Sequence, residues 1–129
     1  DLCLDEIGNI AVNFILENEL SFEEKKKIVR FIQKHYSKLI WKTKFTRIFE
    51  CIVGNFPDEL IYYIKDYIIE NMCRLYSSKE GYYLLKTLIR SSKKEKFQLK
   101  ITEKVIDNLK LLIKSFNGCY LIQTMIESF

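Results

Sequence analysis

Four ten-residue segments of this chain align without a gap: GNIAVNFILE from residue 8, FTRIFECIVG from 45, GYYLLKTLIR from 81 and GCYLIQTMIE from 118. Their starts are 37, 36 and 37 residues apart. A period of this size marks a helical repeat array, because one small unit cannot bury its apolar face alone and its neighbours have to stack on it. Within each segment the fourth, fifth, eighth and ninth residues are apolar: Ala11, Val12, Ile15, Leu16; Ile48, Phe49, Ile52, Val53; Leu84, Leu85, Leu88, Ile89; Leu121, Ile122, Met125, Ile126. At roughly 100° per residue these fall on one side of a helix, and the second, third and sixth residues fall together on the other.

Longer amphipathic stretches separate the segments. Ser21 and Glu24 have capping-box spacing ahead of an apolar face that includes Ile28, Ile32, Tyr36 and Leu39. Pro57, followed by Asp58 and Glu59, suits a first helical turn leading into Leu60, Ile61, Ile64, Ile68, Met72 and Leu75. For the third, Ser92 and Glu95 or Thr102 open the helix, FQLKIT alternates like a strand, and Val105, Ile106, Leu109, Leu112, Ile113 and Phe116 are expected on the buried face. Each period then reads as a lead-in turn, an inner helix and a longer outer helix. With only four glycines and one proline, turns for a many-stranded β fold are lacking. The expected fold is an all-α solenoid with approximate repeats 1–38, 39–74, 75–111 and an incomplete 112–129, a slice of a longer array.

The 48% apolar and 29% charged residues suit one folded domain. A net charge of +4, with lysine runs at 25–27 and 93–96, permits a polyanionic partner without requiring one. Cys3, Cys51, Cys73 and Cys119 lie far apart and His35 is the single histidine, so no metal site and no cofactor are expected. The cysteines are expected to be reduced, in an intracellular protein. No run of about 18 apolar residues offers a membrane span, and the acidic start DLCLDEIGNI lacks the basic residues that open a secretory signal.

The period, the leading glycine and the phrases GNIAVNFILE and GCYLIQTMIE resemble the Pumilio (PUF) repeat family, and LIWKTKFTRIFE resembles its lead-in turn and inner helix. The resemblance covers nearly the whole chain. It implies a right-handed curved array whose inner helices bind single-stranded RNA, about one base per repeat. In that family the second and sixth residues of the aligned segment reach a base edge and the third stacks between bases. Carried over, Cys119, Tyr120 and Gln123 match the adenine-reading pattern. A glutamine amide offers both donor and acceptor, and a tyrosine ring stacks for about 1–3 kcal/mol per base. Thr46, Arg47 and Glu50 resemble the guanine-reading trio, with threonine in place of serine and Phe45 in place of glycine. Arg47 and Glu50 equally suit a surface ion pair at i, i+3. Asn9, Ile10 and Asn13 depart further, the second asparagine shortening the reach to a base. Tyr82, Tyr83 and Lys86 fit no familiar code; the tyrosines suit stacking and Lys86 a phosphate or base carbonyl.

The degenerate codes, and FTRIFECIV in particular, are similar to the nucleolar Pumilio-like branch acting in ribosome biogenesis. That likeness implies pre-ribosomal RNA or mRNA as target, a nucleolar or nuclear setting over a cytoplasmic one, and protein partners on the convex face. A HEAT or armadillo-like protein scaffold also uses such periods, and Tyr62, Tyr82 and Trp41 would serve a protein partner. The two differ at the inner helix: a scaffold has no reason to match Cys/Gln and Thr/Glu at fixed offsets. No enzyme is expected, since no phosphate loop, metal spacing or nucleophile–base pair is present.

Overall fold

The computed structural model describes residues 20–42 and 45–129. Asn9, Ile10 and Asn13, with the rest of the first aligned segment, lie outside them. Every regular element among the described residues is an α-helix: α1 (Phe22–Lys34), α2 (Tyr36–Leu39), α3 (Phe45–Asn55), α4 (Asp58–Glu70), α5 (Met72–Leu75), α6 (Lys79–Ser91), α7 (Glu95–Asp107), α8 (Leu109–Leu112) and α9 (Phe116–Ser128). The order is an outer helix, a one-turn helix and an inner helix, repeated. Two compact units divide the chain, Asp1–Lys65 and Asp66–Phe129.

The outer helices α1, α4 and α7 are each thirteen residues long. The capping box at α1 forms as expected: Ser21 Oγ accepts from the Glu24 amide, and Glu24 Oε1 accepts from the Ser21 amide. These bonds, the Ser21 backbone first and then its hydroxyl, hold the Glu24 carboxyl below its ordinary pKa. The FQLKIT stretch is helical, inside α7, and neither expected cap opens that helix. Ser92 Oγ bonds back to the Leu88 carbonyl at 2.6 Å, and Thr102 Oγ1 to the Gln98 carbonyl at 2.8 Å. Both hydroxyls donate to the preceding turn, and Lys94 stands at the N-cap without a side-chain bond.

The outer helices also stop earlier than their apolar pattern suggests. Each breaks at a single residue, His35, Asn71 or Asn108, and one turn of helix follows. Backbone angles there are alike, with φ between −123° and −98° and ψ between 13° and 19°. The Asn71 and Asn108 amides donate back to the Tyr67 and Lys104 carbonyls at 2.8 Å, and both residues' own carbonyls accept from the new turn. The side chain thereby adds a second donor to a carbonyl that the asparagine's own backbone N–H also reaches, at 3.2 Å.

Within the second unit, α6 packs on α5 and on α9. At each junction a serine caps the inner helix, Ser78 for Gly81 and Ser115 for Gly118, both at 3.0 Å. The glycines are buried, and a methyl at either would overlap the carbonyl oxygen of the residue six positions earlier, Leu75 or Leu112. Neither needs a positive φ; the requirement is for close approach. At the equivalent position in the first unit Phe45 is buried.

Two lysines of α7 tie it to the end of α4. Lys100 reaches Asp66 at 2.7 Å and Lys104 reaches Glu70 at 3.4 Å, a two-rung ladder at i, i+4 on both helices. These partly exposed pairs contribute about 0.2–1 kcal/mol each and mainly set register. The apolar residues fill the core: Ile48, Phe49 and Ile52 on α3; Leu84, Leu85, Leu88 and Ile89 on α6; Leu121 on α9.

The expected buried face from α7 onward is only partly buried. Val105 and Leu112 are covered, whereas Ile106, Leu109, Ile113 and Phe116 are exposed, as is Ile126 on α9. These lie on the side of the final period that its own helices do not cover.

Gly81→Ala is expected to lower the unfolding free energy by about 1–3 kcal/mol, because the added carbon must displace backbone. Gly54→Ala, where a methyl meets nothing within 4 Å, is expected to raise it by up to about 1 kcal/mol through helix propensity. Urea denaturation of both variants checks the pair.

Candidate nucleic-acid interface

After its glycine position each inner helix turns some side chains outward and others into the core. In the first unit, Thr46 is half-buried and Arg47 and Glu50 are exposed, on the side of α3 opposite Ile48, Phe49 and Ile52. Cys51 lies beside them as a free thiol. Partial burial raises its pKa above the ordinary value, the Arg47 guanidinium lowers it by less, and Glu50 raises it again.

The second unit brings two of the expected trios onto helices in mutual contact, α6 and α9. Tyr82 and Lys86 are half-buried and Tyr83 is exposed. Their rings lie 5.5 Å apart, tilted by 55°, and Lys86 Nζ sits over both, 5.4 Å from the Tyr82 centroid and 5.8 Å from that of Tyr83. Two aromatic faces thus hold one ammonium in place. Burial raises the Tyr82 pKa, the charges that Tyr83 and Tyr120 would carry raise it further, and Arg90 opposes them. Tyr82 of α6 therefore senses Tyr120 of α9, so the two helices share one electrostatic neighbourhood.

On α9, Cys119, Tyr120 and Gln123 are all exposed, with Leu121 and Thr124 buried behind them. The Cys119 thiol donates to the Ile113 carbonyl at 3.5 Å. Gln123 Nε2 donates to Glu127 Oε1 at 3.0 Å. That bond fixes the amide orientation, since an ionised carboxylate only accepts. The amide keeps its carbonyl oxygen as an acceptor and a second N–H as a donor.

Two residues at this site are not among the expected trios. Glu127 positions Gln123 from one turn on, and the signal for it in the sequence is the Gln/Glu pair at i, i+4. Arg90 brings a second cation to the Tyr82 cluster, one turn beyond Lys86. Among the described residues no group of histidine, cysteine or carboxylate side chains could hold a metal. No described helix is long and apolar enough to cross a membrane.

Exposure and the raised Cys51 pKa order the thiols. Cys119 is expected to be alkylated by iodoacetamide at about pH 7.5 before Cys51, because the thiolate is the reacting form, and peptide mass spectrometry over time reads the order. No protein-family model, curated protein or solved structure matches this chain.

Proposed function

We propose that this chain is a Pumilio-type α-solenoid segment that binds single-stranded RNA along the solvent side of its inner helices, without catalysing a reaction. One observation carries the reading. In all three described inner helices the third and sixth positions are exposed or half-exposed charged, aromatic or amide residues and the second is Thr46, Tyr82 or Cys119, while the fourth is buried. At these offsets α6 and α9 share a tyrosine in the third position, and all three helices carry a hydrogen-bonding side chain in the sixth.

On α6 and α9 the division of labour follows from the chemistry. Tyr83 and Tyr120 offer ring faces to bases, and Gln123, held by Glu127, offers an amide to one base edge. Lys86 and Arg90 supply the charge for phosphate. The Glu127 carboxylate repels phosphate from the Gln123 side, which favours a base there. On α3, Thr46, Arg47 and Glu50 suit guanine, whose pairing edge carries two donors for a carboxylate. Few specific contacts and several stacking ones fit loose sequence dependence, in keeping with pre-ribosomal RNA in a nucleolar setting or with an mRNA.

A protein scaffold is the second reading, favoured by exposed Tyr63 and Leu99 on the outer helices and Trp41 after α2.

Fluorescence anisotropy with short A- and G-containing RNAs at two salt concentrations tests the proposal. Binding is expected to weaken with salt through counterion release. Tyr120→Ala should cost about 1–3 kcal/mol, and Gln123→Ala should lose discrimination at one base. Lys86→Ala should weaken all RNAs alike and reduce the salt slope by about 1. Absence of binding at low salt contradicts RNA binding and leaves the scaffold.

A further inference from the structure

A line of positive charge leaves the candidate row at the sixth position of α6. Lys86 and Arg90 lie one turn apart, about 6 Å along the helix axis, and Lys93, Lys94 and Lys96 follow directly after α6 ends at Ser91. Arg90 and the three lysines are exposed. The turn that carries them is held from both sides. Ser92 is buried, its hydroxyl donates to the Leu88 carbonyl at 2.6 Å, and its own carbonyl accepts from Gln98 Nε2 at 3.1 Å. These bonds tie the turn to α6 and to α7.

The lysines replace residues that elsewhere serve the fold. Counted from the start of each outer helix, Lys93, Lys94 and Lys96 stand where α1 has Leu20, Ser21 and Glu23 and α4 has Phe56, Pro57 and Glu59. Leu20 and Phe56 are buried, and Ser21 caps its helix. The Lys94 side chain makes no capping bond, and cations in a first turn oppose the helix dipole. Two acidic residues belong to the same end of the inner helices: Glu95 within the run, and Glu127, which holds the place of Arg90 in α9 and is bonded to Gln123. The excess of cations is therefore on the α6 side.

We propose that this turn holds phosphates of an RNA strand that continues beyond the bases met by the inner helices, the backbone leaving the row at Lys86 and Arg90 and passing over Lys93, Lys94 and Lys96. The proposal rests on the reading of the row as an RNA surface and adds a contact that carries no base information. Ammonium groups on flexible stems suit this task, because they meet phosphate as point charges whatever the sequence. The bound RNA is then longer than the stretch that α6 and α9 can read at about one base per repeat.

Anisotropy titrations at two salt concentrations test this with an RNA of about five nucleotides and the same RNA extended by about five uridines at its 5′ or its 3′ end. Extension at one end is expected to raise affinity at least about fivefold at low salt and to steepen the salt slope by about 2, three phosphate contacts at about 0.7 each. Lys93→Gln, Lys94→Gln and Lys96→Gln together should abolish both gains and leave the short RNA within about twofold. Lys79→Gln, Lys110→Gln and Lys114→Gln remove equal charge from exposed sites around the amino-terminal ends of α6 and α9, and should abolish neither gain. All six positions are exposed, so folding, checked by circular dichroism, is expected to persist. If the short RNA binds, the proposal is overturned by an affinity that does not grow with length, by a gain that survives loss of the three lysines, or by one that the control set removes equally. Absence of any binding at low salt contradicts the reading of the row itself, and the extension falls with it.

Discussion

The inner helices α6 and α9 depend on a helix passing against the carbonyl of a residue six positions earlier, and only glycine leaves room for that approach. Gly81 meets Leu75 and Gly118 meets Leu112, each with a serine three residues before it closing the amide end. The candidate row starts at the residue directly after each glycine, so this contact also fixes the place of that row on the helix. Tyr82 and Cys119 follow the glycines directly, Tyr83 and Tyr120 come next, and Lys86 and Gln123 lie one turn on. A packing constraint and a candidate recognition surface are therefore one sequence feature seen from two sides of a helix.

The outer helices solve a different problem. A helix that ran on through His35, Asn71 or Asn108 would carry the chain past the point where it has to turn back. The break is made without glycine or proline: at the two asparagines the side-chain amide returns to the previous turn and the main chain restarts. The lysine–carboxylate ladder between α7 and the end of α4 then sets the register of these two outer helices. Repetition of small devices at 36 or 37 residues makes the period regular although the segments share few identities.

Much of this was legible in the residues. The apolar positions of the aligned segments predicted which side of α3 and α6 is buried, because a stripe at helical spacing has one physical solution once neighbours stack. The Ser21/Glu24 box was legible for the same local reason. The breaks after the outer helices were not, since Tyr36 and Leu39, or Met72 and Leu75, continue the apolar pattern straight across them. Ser92 and Thr102 misled because a hydroxyl serves a cap or the preceding turn equally well. Ile106, Ile113 and Ile126 look like core in any single repeat, and their burial is decided by whether a neighbour stacks against them. At the site, Gln123 was readable from the helical offset, but its anchoring by Glu127 needed a side-chain direction. Leu2, Asp5 and Gly8 repeat the spacing of Leu75, Ser78 and Gly81 in a part of the chain outside the described residues.

The central claim is that the two sides of each inner helix divide between stacking and RNA. Backbone and side-chain NMR shifts of the chain, followed as a short adenine- and guanine-containing RNA is added at low salt, test it directly. The account predicts changes at Tyr82, Tyr83, Lys86, Arg90, Tyr120 and Gln123, with the exposed side of α7 around Leu99 unaffected. Changes confined to the outer helices, or none at saturating RNA, would contradict it.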